Sequence, residues 1–148
     1  MDNDVFTIAS PKRKMSSKTK VDTFINEYCR RFGIKLLVDP ALGKNDGLCY
    51  PALNEIHMSK SYSSAKVKLA IVLHEIGHIK VERRTKKPYN IFECELMAWN
   101  YAIQLHKKHF SKSFSKTQAE YMLKCLKSYC RSQYEFKKIL PKSDGKAV

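Results

Sequence analysis

The stretch of residues 65–83 constrains the fold more than any other part of the sequence. Its apolar residues lie on several sides of the helix that their spacing predicts, and Ser63 or Ser64 is placed to cap that helix. A helix that is apolar all round its middle has to be covered by other elements. The sequence therefore predicts a central, buried helix. This is an unusual environment for the two histidines within it, His74 and His78.

The two histidines belong to the run His-Glu-Ile-Gly-His, the HEIGH motif. Because His74 and His78 are four residues apart, both imidazoles lie on one helix face and can reach a single metal ion at about 2 Å. Glu75 lies on the adjacent surface, where it can reach a metal-bound water without binding the metal. The motif therefore predicts a metal site with Glu75 as general base. Gly77 costs about 1 kcal/mol in a helix relative to Ala, which predicts that a strand or a substrate backbone approaches closely there.

Zinc in a catalytic site usually has three protein ligands and one open position, so the motif needs a third ligand. Glu82 lies one turn beyond His78 on the same helix and would point along the helix axis rather than across the site. We therefore expect Glu82 to pair with Lys80 or Arg83 instead.

The other candidates lie on the next predicted helix, residues 89–107, or just after it: Glu93, Glu95, His106 and His109. Glu95 is favoured because the small residues Ala98 and Ala102 follow it and would let this helix pack closely on the first. Glu93 is the alternative. Cys94 points about 100° away from Glu95 on a helix, so we expect it to be a small, partly apolar core residue rather than a ligand.

Two motifs together resemble the ImmA/IrrE family of zinc metallopeptidases. They are the HEIGH motif and residues 95–102, which read E-x-x-A-x-x-[FY]-A, and the resemblance covers about residues 21–106. It implies a Zn²⁺-dependent endopeptidase with Glu95 as third ligand. It also implies cleavage of a regulatory protein, typically a helix-turn-helix repressor in bacteria, prophages or phages.

Trp99 departs from the family pattern. Many members have Asn or Asp at this position, which is expected to support a zinc-bound histidine through a hydrogen bond. An indole N–H donates but cannot accept, so Trp99 cannot orient an imidazole N–H as a carboxylate does. Asn100 is the candidate to compensate.

Residues 54–58 lie where the family has an edge strand before its active-site helix. We therefore expect a peptide substrate to extend along the strand at residues 55–59, because a free sheet edge can accept an added strand. Four side chains remain open as donors to the oxyanion of the reaction: His57, Tyr89, Tyr101 and His106. Of these, His57 and Tyr101 are the candidate substrate-binding residues.

The remaining pattern predicts an α+β fold in which a small three-stranded sheet packs on the metal-bearing helix pair. We expect an N-terminal helix at residues 22–32, capped by Asp22 or Thr23 and ended by Gly33, and a basic C-terminal helix at residues 116–138. The three strands are predicted at residues 34–38, 47–51 and 55–59. The predicted organisation is a basic flexible arm (1–20), a metallopeptidase domain (21–140) and a frayed tail (141–148).

The chain carries 28 Lys and Arg against 14 Asp and Glu, a net charge of +14. Such a charge attracts polyanions, so the alternative function is a nucleic-acid-associated or regulatory binding protein with a non-catalytic metal site. A nucleic-acid face could come from residues of the last helix, although a buried stripe is the plainer interpretation of their spacing. These residues are Tyr121, Lys124, Lys127, Tyr129, Arg131 and Tyr134.

The cysteines and the hydropathy of the sequence indicate the cellular compartment. There are five cysteines, an odd number, and none form a CxxC pair, which favours a reducing cytoplasm. No apolar run approaches the roughly 20 residues that span a bilayer, and the N-terminus lacks signal-peptide order. We therefore expect a cytoplasmic protein with a protein substrate, possible nucleic-acid contact through its basic termini, and no membrane partner.

Overall fold

The computed structural model describes residues 16–84 and 90–129, which form four α-helices and a three-stranded sheet. This is the α+β fold that the sequence predicts. A short 3₁₀ turn, Pro51–Leu53, joins the second and third strands. The elements in chain order are α1 (Ser17–Arg31), β1 (Lys35–Val38), β2 (Gly47–Tyr50), β3 (Glu55–Met58), α2 (Ala65–Arg84), α3 (Ile91–Phe110) and α4 (Lys116–Ser128).

Helix α1 begins earlier than the sequence predicts. The side chain of Ser16 accepts a hydrogen bond from the Thr19 N–H, at 3.2 Å, and caps the helix in place of Asp22 or Thr23. Residues 17–20, predicted to belong to the arm, are therefore helical. At the other end, Gly33 has a φ of +66°, a left-handed conformation that ends the helix as expected. Residues 1–15 and the predicted tail lie outside the described residues.

The sheet has the order β1-β3-β2, so the prediction that residues 55–59 form an edge strand is wrong. Strand β3 pairs in parallel with β1 and antiparallel with β2. The 3₁₀ turn ends at Asn54, whose φ of 54° returns the chain alongside β2, and β1 occupies the opposite side. Ile56 at the centre of β3 is completely buried. Both sides of β3 are hydrogen-bonded, and β2 is instead an edge strand.

Helix α2 lies in the core and contacts the sheet and the other three helices. Its cap is Ser64, one of the two predicted caps. The Oγ atom of Ser64 accepts a hydrogen bond from the Val67 N–H at 3.1 Å. Helices α3 and α4 are capped by Asn90 and Ser115. Helix α4 ends at Ser128 rather than at residue 138, and residues beyond 129 are not described. No helix in the described segments is long and apolar enough to cross a membrane.

Gly77 marks the closest approach of α2 and α3. A Cβ at this position would overlap the carbonyl oxygen of Ala98 and lie 3.0 Å from its carbonyl carbon. The close approach predicted at Gly77 is therefore present, but the backbone belongs to α3 rather than to a strand or a substrate. Ala98 and Ala102 are completely buried, as expected for small residues at this contact.

We expect Gly77→Ala to lower the free energy of unfolding by about 2 kcal/mol. Overpacking against a backbone that cannot rotate away costs about 3 kcal/mol, and the better helix propensity of Ala returns about 1 kcal/mol. Urea denaturation in the presence of a chelator measures the change without a contribution from bound metal. Gly43→Ala is the matched control, since a Cβ there meets no atom within 4 Å. Equal stability of the two variants would contradict the helix contact.

Candidate metal centre

Helices α2 and α3 bring two imidazoles and one carboxylate together. His74 Nε2 lies 3.1 Å from His78 Nε2, and the two nitrogens lie 2.9 Å and 3.0 Å from the two carboxylate oxygens of Glu95. His74 and His78 share one face of α2, and Glu95 reaches them across the close contact at Gly77 and Ala98. One ligand atom from each residue falls within 4.8 Å of the others, so the group can hold a metal ion.

Glu75 lies beside this group without belonging to it. Its Oε1 atom is 4.0 Å from His74 Nε2, and the side chain is 9% exposed. Burial raises the pKa of Glu75 above its ordinary value, against the lowering effect of the two imidazoles. A carboxyl whose pKa is raised in this way is a better proton acceptor than an exposed one, which suits a general base.

The charges of Glu95 and His78 are coupled. Burial raises the pKa of Glu95, but hydrogen bonds and charge from the two imidazoles outweigh it and lower the pKa to about 2. Burial lowers the pKa of His78, but its hydrogen bond with Glu95 and the nearby carboxylates raise it above its ordinary value. Glu95 is therefore ionised at neutral pH, while a proton competes with a metal for His78.

We expect the affinity for a divalent metal ion to fall as the pH is lowered, and the fall to begin above about pH 6.5. Only a neutral imidazole binds a metal, and the hydrogen bond and charge of Glu95 raise the pKa of His78 above its ordinary value. With one competing proton the loss is up to about tenfold per pH unit. Competition against a chelator of known affinity, between about pH 5.5 and 8.5, measures it. A metal affinity that stays constant between roughly pH 7.5 and 6.0 would contradict the competition between a proton and the metal for His78.

Trp99 supports His74 by stacking rather than by hydrogen bonding. The ring centres are 4.0 Å apart and the planes are inclined by 22°. The Nδ1 atom of His74 and the Nε1 atom of Trp99 are both buried, and neither has a hydrogen-bond partner within the described part of the chain. Asn100 is exposed and does not supply the missing acceptor. The indole therefore fixes the plane of the imidazole, while no acceptor among the described residues fixes its tautomer.

A cleft of about 490 Å³ opens onto the group. It is bounded by α2, α3 and the edge strand β2, and its wall includes Leu48, Cys49, Pro51, Val81, Glu82 and Tyr129. Gly47 of β2 lies close to Glu75, because a Cβ there would be 3.4 Å from Glu75 Cγ. Burial raises the pKa of the Cys49 thiol, and the charge of Glu75 raises it further, so the thiol is neutral.

Two residues of this cleft could not be assigned to it from the sequence. Cys49 and Tyr129 reach it through the pairing of β2 with β3 and the packing of α4, which are long-range contacts. Cys94 also lines the cleft, although we expected it to be a small core residue. It is not part of the group of possible ligands.

The candidate substrate-binding residues do not line the metal cleft. His57 lies on β3, where its Nδ1 is 3.6 Å from Asp39 and its Nε2 is 3.3 Å from Glu55. Tyr101 is half-buried and contacts the guanidinium of Arg84, 5.8 Å from the ring centre.

The other open candidates that the structure describes also lie away from the metal cleft. His106 is buried and bonds through Nδ1 to the carbonyl oxygen of Lys112, at 2.5 Å. Glu93 is exposed at the start of α3, and its Oε1 accepts from the side chain of Asn90. His109 contacts the rings of Phe24 and Tyr28. Tyr89 lies outside the described residues.

The proposed nucleic-acid face of the last helix is partly turned inward. Tyr121 is half-buried and donates its hydroxyl to the carbonyl oxygen of Asn45, at 2.6 Å, and Tyr129 lines the metal cleft. Lys124 and Lys127 are exposed. Arg131 and Tyr134 lie outside the described residues. For Tyr121, the buried interpretation of the helix pattern is the correct one.

Comparison of the chain with known protein families, curated proteins and solved structures finds no match. The resemblance to the ImmA/IrrE family stays a prediction that rests on the two motifs.

Proposed function

We propose that this protein is a zinc-dependent endopeptidase of the ImmA/IrrE type that hydrolyses peptide bonds in a specific protein. The observation that carries the proposal is the convergence of His74, His78 and Glu95, with a buried Glu75 beside them and a cleft in front. The donor set of two imidazoles and one carboxylate is the set used by several zinc peptidases.

The spacing of these donors suits zinc. Ligands bound at about 2 Å around one tetrahedral ion lie roughly 3.3 Å apart. The nitrogen and oxygen atoms of the three residues are already 2.9 to 3.1 Å apart. Glu95 is ionised, and the buried Nδ1 of His74 leaves Nε2 as the nitrogen directed at the group. Modest outward shifts of the side chains would admit the ion.

Each side chain then has a defined task. Zinc, when held by His74, His78 and Glu95, would act as a Lewis acid and would lower the pKa of the attacking water toward 7. Glu75 accepts the proton of the attacking water and delivers it to the leaving amine. Tyr129 is the residue with a hydroxyl among the described residues that line the cleft, so we propose it as donor to the oxyanion in place of His57, Tyr101 and His106.

The substrate strand has to be reassigned. Strand β3 has no free edge, whereas β2 is an edge strand and lines the cleft. We therefore propose that an extended peptide pairs with β2, where Leu48 and Tyr50 are 41% and 42% exposed. The physiological substrate that the family resemblance suggests is a regulatory protein, such as a DNA-bound repressor, in the cytoplasm.

Cleavage of a peptide library by the zinc-loaded protein tests this function. Products identified by mass spectrometry, lost on addition of a chelator and regained with Zn²⁺, would support it. Full zinc occupancy without any product would leave a metal-binding protein that is not a peptidase.

A further inference from the structure

Glu82 is a carboxylate of the cleft for which the described residues supply no counter-charge. It lies on α2 one turn beyond His78 and lines the same cleft as the ligands. The partners expected from the sequence are engaged elsewhere. Arg83 donates to Asn54 Oδ1 at 2.7 Å, and the Lys80 ammonium lies 4.7 Å from the centre of the Phe32 ring. Within residues 16–84 and 90–129, no cation forms an ion pair with Glu82.

The other two carboxylates of the cleft, Glu75 and Glu95, belong to the metal centre. Glu95 is held by the two imidazoles, and Glu75 is buried beside them. No lysine or arginine is among the described residues that line the cleft, although the chain as a whole carries a net charge of +14. Glu82 is exposed and is therefore the carboxylate available to a molecule that enters the cleft.

Building on the proposed peptidase function, we propose that Glu82 selects substrates with a lysine or arginine close to the scissile bond. An ionised carboxylate at the wall of a cleft attracts a cationic side chain and repels an acidic one, and exclusion of water by a bound peptide strengthens both effects. None of the lysines and arginines in residues 16–84 and 90–129 lines the wall, so none of these competes with a substrate for Glu82.

The position of Glu82 limits where the basic residue lies. Four residues along a helix correspond to about 6 Å, which is the offset of Glu82 from His78 along α2. An extended peptide advances about 3.3 Å per residue. The basic side chain therefore belongs within roughly two residues of the bond that is cleaved.

Library cleavage by Glu82→Gln, compared with the unsubstituted protein, tests the selectivity. We expect the unsubstituted protein to favour Lys or Arg at one position near the cleaved bond by about fivefold, as for a partly exposed ion pair, and Glu82→Gln to lose that preference. Glu82→Lys should favour Asp or Glu there instead. Glu120→Gln, an exposed carboxylate of α4 outside the cleft, is the control and should keep the preference. Cleavage without a basic preference, or a preference that survives Glu82→Gln, would overturn the role of Glu82 but leave the proposed peptidase function intact.

A binding measurement separates the inference from the peptidase function. Two short peptide hydroxamates that differ only in Arg or norleucine are titrated into the zinc-loaded protein by calorimetry. We expect the Arg compound to bind about fivefold more tightly, and the difference to disappear in Glu82→Gln and to shrink at high salt. Equal binding of the two compounds would overturn the role of Glu82 even if no substrate is cleaved. If neither compound binds, the proposed function fails and the inference fails with it.

Discussion

Replacing Glu75 by Gln should abolish peptide hydrolysis while the bound zinc stays in place. We expect a loss of about a thousandfold, within the range that a general base contributes. The amide has the shape of the carboxyl but cannot accept a proton, and Glu75 does not belong to the group that can hold the metal. Burial raises the pKa of Glu75, so a neutral amide should fit the site without a loss of stability.

Three measurements on one preparation decide this prediction. Initial rates on a cleaved library peptide give the activity, elemental analysis gives the zinc content per chain, and thermal unfolding shows whether the variant is folded. A folded, zinc-loaded Glu75→Gln variant that retains full activity would remove Glu75 from the mechanism. A metal site with a purely structural role predicts the same zinc content but no activity to lose in either protein.

The second large effect is expected at Glu95 of α3, and Glu93 on the same helix is its control. Glu95→Gln should weaken zinc binding by more than about a hundredfold, which exceeds the usual effect of residues outside the ligand set. Glu93→Gln should leave zinc binding unchanged, because Glu93 is exposed and bonds with Asn90 at the start of the helix. Competition with a chelator measures both affinities at one pH.

Histidine substitutions provide the matching comparison. His78→Ala should lose zinc to the same degree as Glu95→Gln, while His57→Ala should keep it, because His57 lies on β3 between Asp39 and Glu55. Loss of zinc from Glu93→Gln, with retention in Glu95→Gln, would show that the third ligand had been assigned to the wrong residue. Circular dichroism of each variant separates loss of zinc from loss of the fold.

The sequence alone determined the local features of this protein. The four-residue spacing of His74 and His78 requires only that the segment be helical, and the apolar residues around it make that helix buried. The choice of Glu95 followed from small residues at helical spacing, and Gly77 indicated a close approach. These features depend on neighbours within one or two turns, so the chain order carries them directly.

The tertiary structure decided what depends on residues far apart in the chain. Strand order is one case, because the pattern of β3 is the same whether one or both of its edges are paired. The entry of Cys49 and Tyr129 into the cleft is another, and so is the stacking of Trp99 on His74. The same holds for Glu82, beside which the described residues place no cation. Side-chain periodicity specifies which face of an element is buried but not which other element covers it, and that pairing is settled only when the whole chain packs.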